Sequence, residues 1–157
     1  MPAYSAGVLA YRRTPDGLEV LLVHPGGPYF RSKDLGAWSI PKGEFAADES
    51  AEQAARREFA EELGTALTVP LVALGSVKQR GGKTVEAFAA EFDLDAATTT
   101  SNNFEIEWPP RSGRIASFPE VDRAAWFGLA EARARINAAQ ATLLDRLTQL
   151  CHETDKQ

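Results

Sequence analysis

The stretch that decides the fold is "GEFAADESAEQAARREFAEELG", Gly43 to Gly64. Ser50 with Gln53 three residues later reads as a capping box that opens a helix, and Gly64 can close it. At about 100° per residue, Glu58, Glu61 and Glu62 share one arc of that helix. Ala55, Phe59 and Leu63 occupy the adjoining face and can dock it on a sheet. Like charges one turn apart repel by a few tenths of a kcal/mol per pair. The patch makes physical sense if a cation sits on it. Oxygen ligands without nearby histidine or cysteine suit a hard ion, Mg²⁺ or Mn²⁺, rather than zinc. Taken alone, "RREFAEE" reads instead as a solvated helix in which Arg56 and Arg57 pair with neighbouring glutamates.

On the N-terminal side, "YSAGVLAYRR" and "LEVLLVH" are apolar runs separated by Thr14-Pro15-Asp16-Gly17, the pattern of hairpin strands. Residues 25 to 37, "PGGPYFRSKDLGA", form a loop, and "WSIP" (residues 38 to 41) a short strand. On the C-terminal side, "LTVPLVALGSVKQR" and "KTVEAFAAEFDL" flank Gly81-Gly82 as a second hairpin. "DAATTTSNN" is a polar loop, "FEIEW" an alternating strand, "PPRSGR" a tight connection and "RAAWF" a final strand. From Leu129 onward one helix is expected, with Leu143, Leu144, Leu147 and Leu150 on its buried face. The ordered core is placed at about residues 3–150 and fraying at residues 151–157. The order β-β-β-α-β-β-β-β-α predicts an α+β (mixed α/β) fold in one domain of residues 1–157.

Composition narrows the partners. A chain of 157 residues suits a single core. Its formal net charge of −5 argues against a general nucleic-acid binder, which carries a basic surplus. The single cysteine, Cys151, permits no internal disulfide, and on a helical apolar stripe it reads as a small buried hydrophobe. "MPAYSAGVLAYRR" lacks a basic segment before its apolar run, so no signal peptide is read. No apolar stretch approaches a membrane span. The expectation is a cytoplasmic protein, with its oligomeric state left open.

Spacing adds what residue types alone do not. From Gly43, five residues lead to Glu49, and seven more to Arg57-Glu58-Phe59-Ala60-Glu61-Glu62-Leu63-Gly64. This resembles the signature of the Nudix (MutT-like) hydrolases, and the strand order resembles their α/β/α sandwich, a mixed sheet with the motif helix and a C-terminal helix packed on it. One departure is Thr65, where the family usually has an aliphatic residue. Thr is β-branched and can begin a strand, so this is read as a packing variation.

The resemblance implies a metal-dependent hydrolase of phosphoanhydrides. Glu58, Glu61 and Glu62 would be metal ligands with the Gly43 carbonyl, and Mg²⁺ the cofactor, with Mn²⁺ possible. Glu58 or Glu61 would serve catalysis, and Arg57, paired with Glu49, would orient the carboxylates. Glu58 is the first choice of general base, with Glu105 and Glu107 as rivals. The "WSIPKG" pattern resembles family members acting on dinucleoside polyphosphates or diphosphoinositol polyphosphates. Lys42 is a point charge for phosphate. Trp38 is read equally as core or as part of the site. In "WPPRSGR", Arg111 and Arg114 can fork onto phosphate oxygens, and Trp108 or Tyr29 can stack on a base. That loop, stiffened by two prolines, is expected to close over the polyphosphate from the side opposite the helix. Lys33, Lys78 and Arg80 are weaker basic candidates, and His24 ends a strand rather than serving as a ligand.

Three function classes follow. The first is a pyrophosphohydrolase of a nucleoside diphosphate linked to another group, with dinucleoside polyphosphates preferred and nucleoside triphosphates second. The second is a non-catalytic nucleotide-binding sensor of the same fold, for which an intact set of glutamates is unneeded. The third is a structural domain with an acidic helix, which leaves the spacing unexplained.

Overall fold

The structure, a computed structural model, describes residues 4–155, without the side chains of residues 80, 154 and 155. Its strands are β1 (Tyr4–Thr14), β2 (Gly17–Pro25), β3 (Lys42–Glu44), β4 (Val72–Lys78), β5 (Thr84–Glu91), β6 (Asn103–Glu107), β7 (Ile115–Pro119) and β8 (Val121–Gly128). The helices are α1 (Ala51–Leu63), α2 (Leu129–Arg135) and α3 (Thr142–Asp155). The main sheet runs β4-β5-β1-β2-β8, with β3 added to β1. β1 and β5 are parallel, and the other pairs in this sheet are antiparallel.

β1 is the organising strand. Its second half pairs with β2 from Tyr11 to Thr14, and its first residues, Ser5 to Gly7, pair with β3. β2 and β3 therefore share one edge of β1 and diverge around the Trp38–Pro41 segment, whose Pro41 carbonyl accepts the Val8 amide at 3.2 Å. The lysine and glycine that begin β3 are placed by this divergence.

Both faces of the sheet are covered, which is why β1 and β2 read as almost unbroken apolar runs. Leu9, Val20 and Leu22 face α2 and α3, where Leu143, Leu144 and Leu147 are buried. Ala6, Val8, Ala10, Leu21 and Val23 face α1, packed on Ala54, Ala55, Phe59 and Leu63. The apolar stripe of α1 lies as predicted. Truncating Phe59 to alanine would remove about 3–5 kcal/mol. Cys151 is buried against the α3 side.

Four details differ from the sequence expectation. "WSIP" makes only isolated bridges, Ser39 to Val23 and Trp38 to Ile136, and the strand proper starts at Lys42. Pro41 lacks an amide to donate to a ladder. The segment after "PPRSGR" is a strand, β7, which pairs only with β6 in a separate two-stranded sheet. The C-terminal helix is broken: α2 ends before Ile136, and the Asn137 side chain accepts the Ala139 amide to start a 3₁₀ turn at Ala138–Gln140. Finally, α3 continues through Asp155, past the expected onset of fraying; Lys156 and Gln157 lie outside the described residues.

Candidate active site

The motif helix is fixed at both ends. Ser50 and Gln53 exchange the reciprocal bonds of a capping box, and Gly64 adopts φ 73° as its amide reaches the Ala60 carbonyl. Such an N-cap contributes about 1 kcal/mol. The acidic face is thereby held against the β2–β3 divergence.

Arg57 is the hub of the carboxylates. Its Nε and Nη2 donate to Glu49 at 2.8 and 2.9 Å. Its Nη1 donates to Glu58 at 2.8 Å and to Glu61 at 3.3 Å. Nη2 also reaches the Glu44 carbonyl at 3.3 Å. Hydrogen bonding from Arg57 holds the Glu49 carboxyl below its ordinary range. The same bonds, with Glu49 first, raise the guanidinium further above its usual value. The Glu49 partner expected from the sequence is in place, and Arg57 also bonds two of the three motif glutamates.

The remaining carboxylates are less satisfied. Burial raises the Glu58 carboxyl, with the Arg57 bond opposing. Glu62 is pushed up to about 8, mainly by burial and then by Glu58. Its Oε2 is buried without a hydrogen-bond partner. Lys42, itself lowered by burial, is the charge that opposes the rise at Glu62. A buried carboxylate oxygen with nothing to accept from is a position suited to a ligand of opposite charge.

Gly43 shows how closely the backbone approaches. A Cβ there would lie 2.1 Å from the Glu58 carboxyl carbon. Any side chain there would push the Glu58 carboxylate aside, so glycine lets β3 backbone and carboxylate meet on one side of the site. Among the described residues no group of three or more His, Cys, Asp or Glu side chains forms a preassembled cation site. The donor chemistry nevertheless fits a hard divalent ion: oxygen ligands only, an orphaned Glu62 oxygen, and a glycine where a side chain would collide.

Sequence reasoning missed Glu120. It stands between β7 and β8, and its carboxyl is raised by burial and by Glu61. The hairpin carries it there. The Asn102 amide donates to the Glu61 carbonyl, the Glu120 amide to Asn102, and the Gly26 amide to Glu120, at 3.1, 2.8 and 2.9 Å. Glu120, Glu62 and Lys42 together line a chamber of about 240 Å³. No periodicity marks Glu120; only the return of the hairpin to α1 places it.

The rival bases and hairpin arginines stand elsewhere. Glu105 and Glu107 are exposed on β6, and Glu107 accepts the Arg111 amide at 2.7 Å. Arg111 and Arg114 are exposed at the hairpin tip and do not line the chamber. Trp108 and Tyr29 are brought together, but edge to face with each other, centroids 5.4 Å apart. Phe30, next in sequence to Tyr29, lines the chamber instead. Trp38 is core, 2% exposed, with its indole N–H donated to Asp34 at 2.7 Å. Lys78 is exposed on β4, and the Arg80 side chain lies outside the described residues. His24 is fully buried at the end of β2, with Nδ1 2.8 Å from Asp122 and Nε2 2.6 Å from the Lys33 carbonyl. It pins the 25–37 loop.

A family model described as the NUDIX domain matches residues 1–147. No curated protein matches the sequence. Among solved structures, a C. elegans Ap4A hydrolase in a binary complex superposes with a TM-score of 0.68 at 20% identity, covering 95% of this chain and 98% of that one. A MutT/Nudix family protein from Listeria innocua gives 0.67 at 21% identity, covering 98% and 97%. The NUDIX domain of Shewanella oneidensis NrtR, complexed with ADP-ribose, gives 0.59 at 19% identity, covering 96% and 89%. At these identities the likeness is one of fold. No helix among the described residues is long and apolar enough to cross a membrane.

Proposed function

The chain belongs to the NUDIX family of phosphoanhydride hydrolases, and from that premise we propose that it is a Mg²⁺-dependent pyrophosphohydrolase whose preferred substrates are dinucleoside polyphosphates. The observation that carries the reading is the joint placement of Glu62, Glu120 and Lys42 around one chamber, with the Glu62 oxygen buried and unpartnered. A solvated acidic helix has no reason to bury such an oxygen.

Glu58, Glu61, Glu62 and the Gly43 carbonyl would hold the metal, with Glu120 facing them. When bound, Mg²⁺ neutralises phosphate oxygens and makes water a better nucleophile. The rest is done by the chain. Lys42, largely buried beside Glu62, binds a phosphate oxygen and orients the anhydride. Arg57 keeps Glu58 and Glu61 turned into the site through the bonds described above. Glu58, which lies against the Gly43 backbone, accepts the proton of the attacking water. Glu120 is a better-placed rival for that role than Glu105 or Glu107, because it lines the chamber and they do not.

The test is a nucleotide panel with and without Mg²⁺, products separated by chromatography. Hydrolysis of diadenosine polyphosphates, lost on chelation, is expected. Preferential turnover of nucleoside triphosphates would move the substrate assignment to the second class. Tight nucleotide binding without turnover of any member would establish a sensor.

A further inference from the structure

Beside the small acidic chamber lies a larger one. The second cavity, about 730 Å³, shares Phe30, Lys42 and Gln79 with the first and adds Lys33, Lys83 and Leu35. The charge changes along the way. One end carries Glu62 and Glu120, Lys42 lines both cavities, and the other end adds Lys33 and Lys83. Asp34 is the lone carboxylate of that wall, and it is already engaged. Arg135 donates to both of its oxygens at 2.6 and 2.7 Å, and the Trp38 indole donates as well. Lys83 reaches Glu44 only at 4.0 Å, with both side chains more than half exposed, a pairing of little strength. Among the described residues the Lys33 ammonium has no carboxylate partner and rests 5.5 Å above the Phe30 ring. In a chain of net charge −5 this wall is a local reversal of sign.

The wall is also pre-ordered. His24 holds the Lys33 carbonyl at 2.6 Å from a fully buried position. Lys83 follows the turn that returns to β5, with its carbonyl accepting the Gln79 amide at 2.8 Å. A charge presented on fixed backbone loses less freedom when it meets an anion.

We propose that Lys33 and Lys83, continuing from Lys42, bind the phosphates beyond the scissile anhydride and so make the enzyme select substrates by the length of their phosphate chain. The ligand chemistry is a run of phosphates leaving the carboxylate end towards Phe30 and Leu35. This rests on the function proposed above, which it deepens by assigning the arm that reads chain length. The hairpin arginines, exposed and outside both cavities, are not needed for it.

The experiment measures KM and kcat of the full chain with Mg²⁺ on diadenosine tri-, tetra-, penta- and hexaphosphate and on ADP-ribose. The proteins are wild type, Lys33→Ala, Lys83→Ala and the double variant. Contacts made equally in ground and transition states appear in KM. Each substitution should raise KM about threefold to tenfold on the longest substrates, with a smaller effect as phosphates are removed and none on ADP-ribose. An unchanged KM, or the same rise on every substrate, overturns the proposal. If the wild type hydrolyses none of these nucleotides, the proposed function fails, and calorimetric binding of inorganic tripolyphosphate still decides the arm. Weaker binding by the double variant supports it, and equal binding overturns it. Preferred turnover of a diphosphoinositol polyphosphate, weakened by the same substitutions, would keep the arm and replace the dinucleotide assignment.

Discussion

Helix α1 and the β6–β7 hairpin are linked at Asn102, which stands just before β6 and whose amide donates to the Glu61 carbonyl, but they are specified in opposite ways. The helix buries Ala54, Ala55, Phe59 and Leu63 and has caps at both ends. Every residue of β6 and β7 is at least partly exposed, and the two strands pair only with each other. One element carries its instructions within its own residues. The other is held by its neighbours, and what it contributes, Glu120, is placed by where it ends. Chemistry written on a self-defining helix can be read from a string, whereas chemistry delivered by a returning loop cannot.

The largest expected effect tests the helix side. Glu61→Gln should lower turnover by about a hundredfold or more at saturating Mg²⁺, with an unchanged circular dichroism spectrum, and chelation should abolish activity in the wild type. Full turnover in that variant would remove α1 from the site. Gly43→Ala should come close behind, since its Cβ would lie 2.1 Å from the Glu58 carboxyl carbon. Kinetics with a folded variant at near-normal rates would show that backbone and carboxylate need not meet.

Arg57→Ala should reduce turnover by about tenfold and raise the Mg²⁺ concentration needed. It should also destabilise by about 1–2 kcal/mol, because Glu49 and Glu58 lose a donor. Normal metal dependence would make Arg57 an ordinary surface arginine.

A smaller effect concerns Glu62. Its folded pKa, about 8, lies above the unfolded value. This group therefore favours the fold most at low pH, and that contribution falls away as pH rises from the unfolded carboxylate range towards 8. In chelator, Glu62→Gln should raise Tm more at pH 8 than at pH 5, by about 2–4 °C for each kcal/mol recovered. Calorimetric scans showing equal shifts at both values would mean the Glu62 carboxyl is not strained in the metal-free protein.

The smallest effect belongs to the hairpin. From the sequence, Arg111→Ala with Arg114→Ala is expected to raise KM by roughly tenfold or more, but both side chains are exposed and line neither cavity. The structure lowers this to less than about twofold. A measured tenfold rise would bring the hairpin over the substrate and erase the contrast with α1.

The same contrast explains what was legible. Ser50, Gln53 and Gly64 mark α1 because each acts through its own backbone, and the fixed spacing of Glu58, Glu61 and Glu62 did the rest. β1 and β2 were legible because two buried faces demand unbroken apolar runs. β7 was not: "IASFP" leaves Ile115 65% exposed and ends in proline, so it lacks both signals of a strand. The break at Asn137 was hidden by alanine-rich flanks that suit continuous helix. Nothing marks Lys83, at the head of a hairpin strand, as a binding residue, because the wall it joins is assembled from segments distant in sequence.

The parallel pairing of β1 with β5 bears on when the site comes into being. Tyr4 faces Thr84 and Tyr11 faces Glu91, so the sheet centre closes only after roughly eighty residues have been looped, a closure entropy of about 4 kcal/mol. Long-range pairing of this kind is slow compared with helix formation. Gly43 is held by β1, and Glu58 by a helix docked on it. On the folding time axis, the proposed cation affinity is thus a late property, absent from a chain whose α1 has formed but whose central strands have not met.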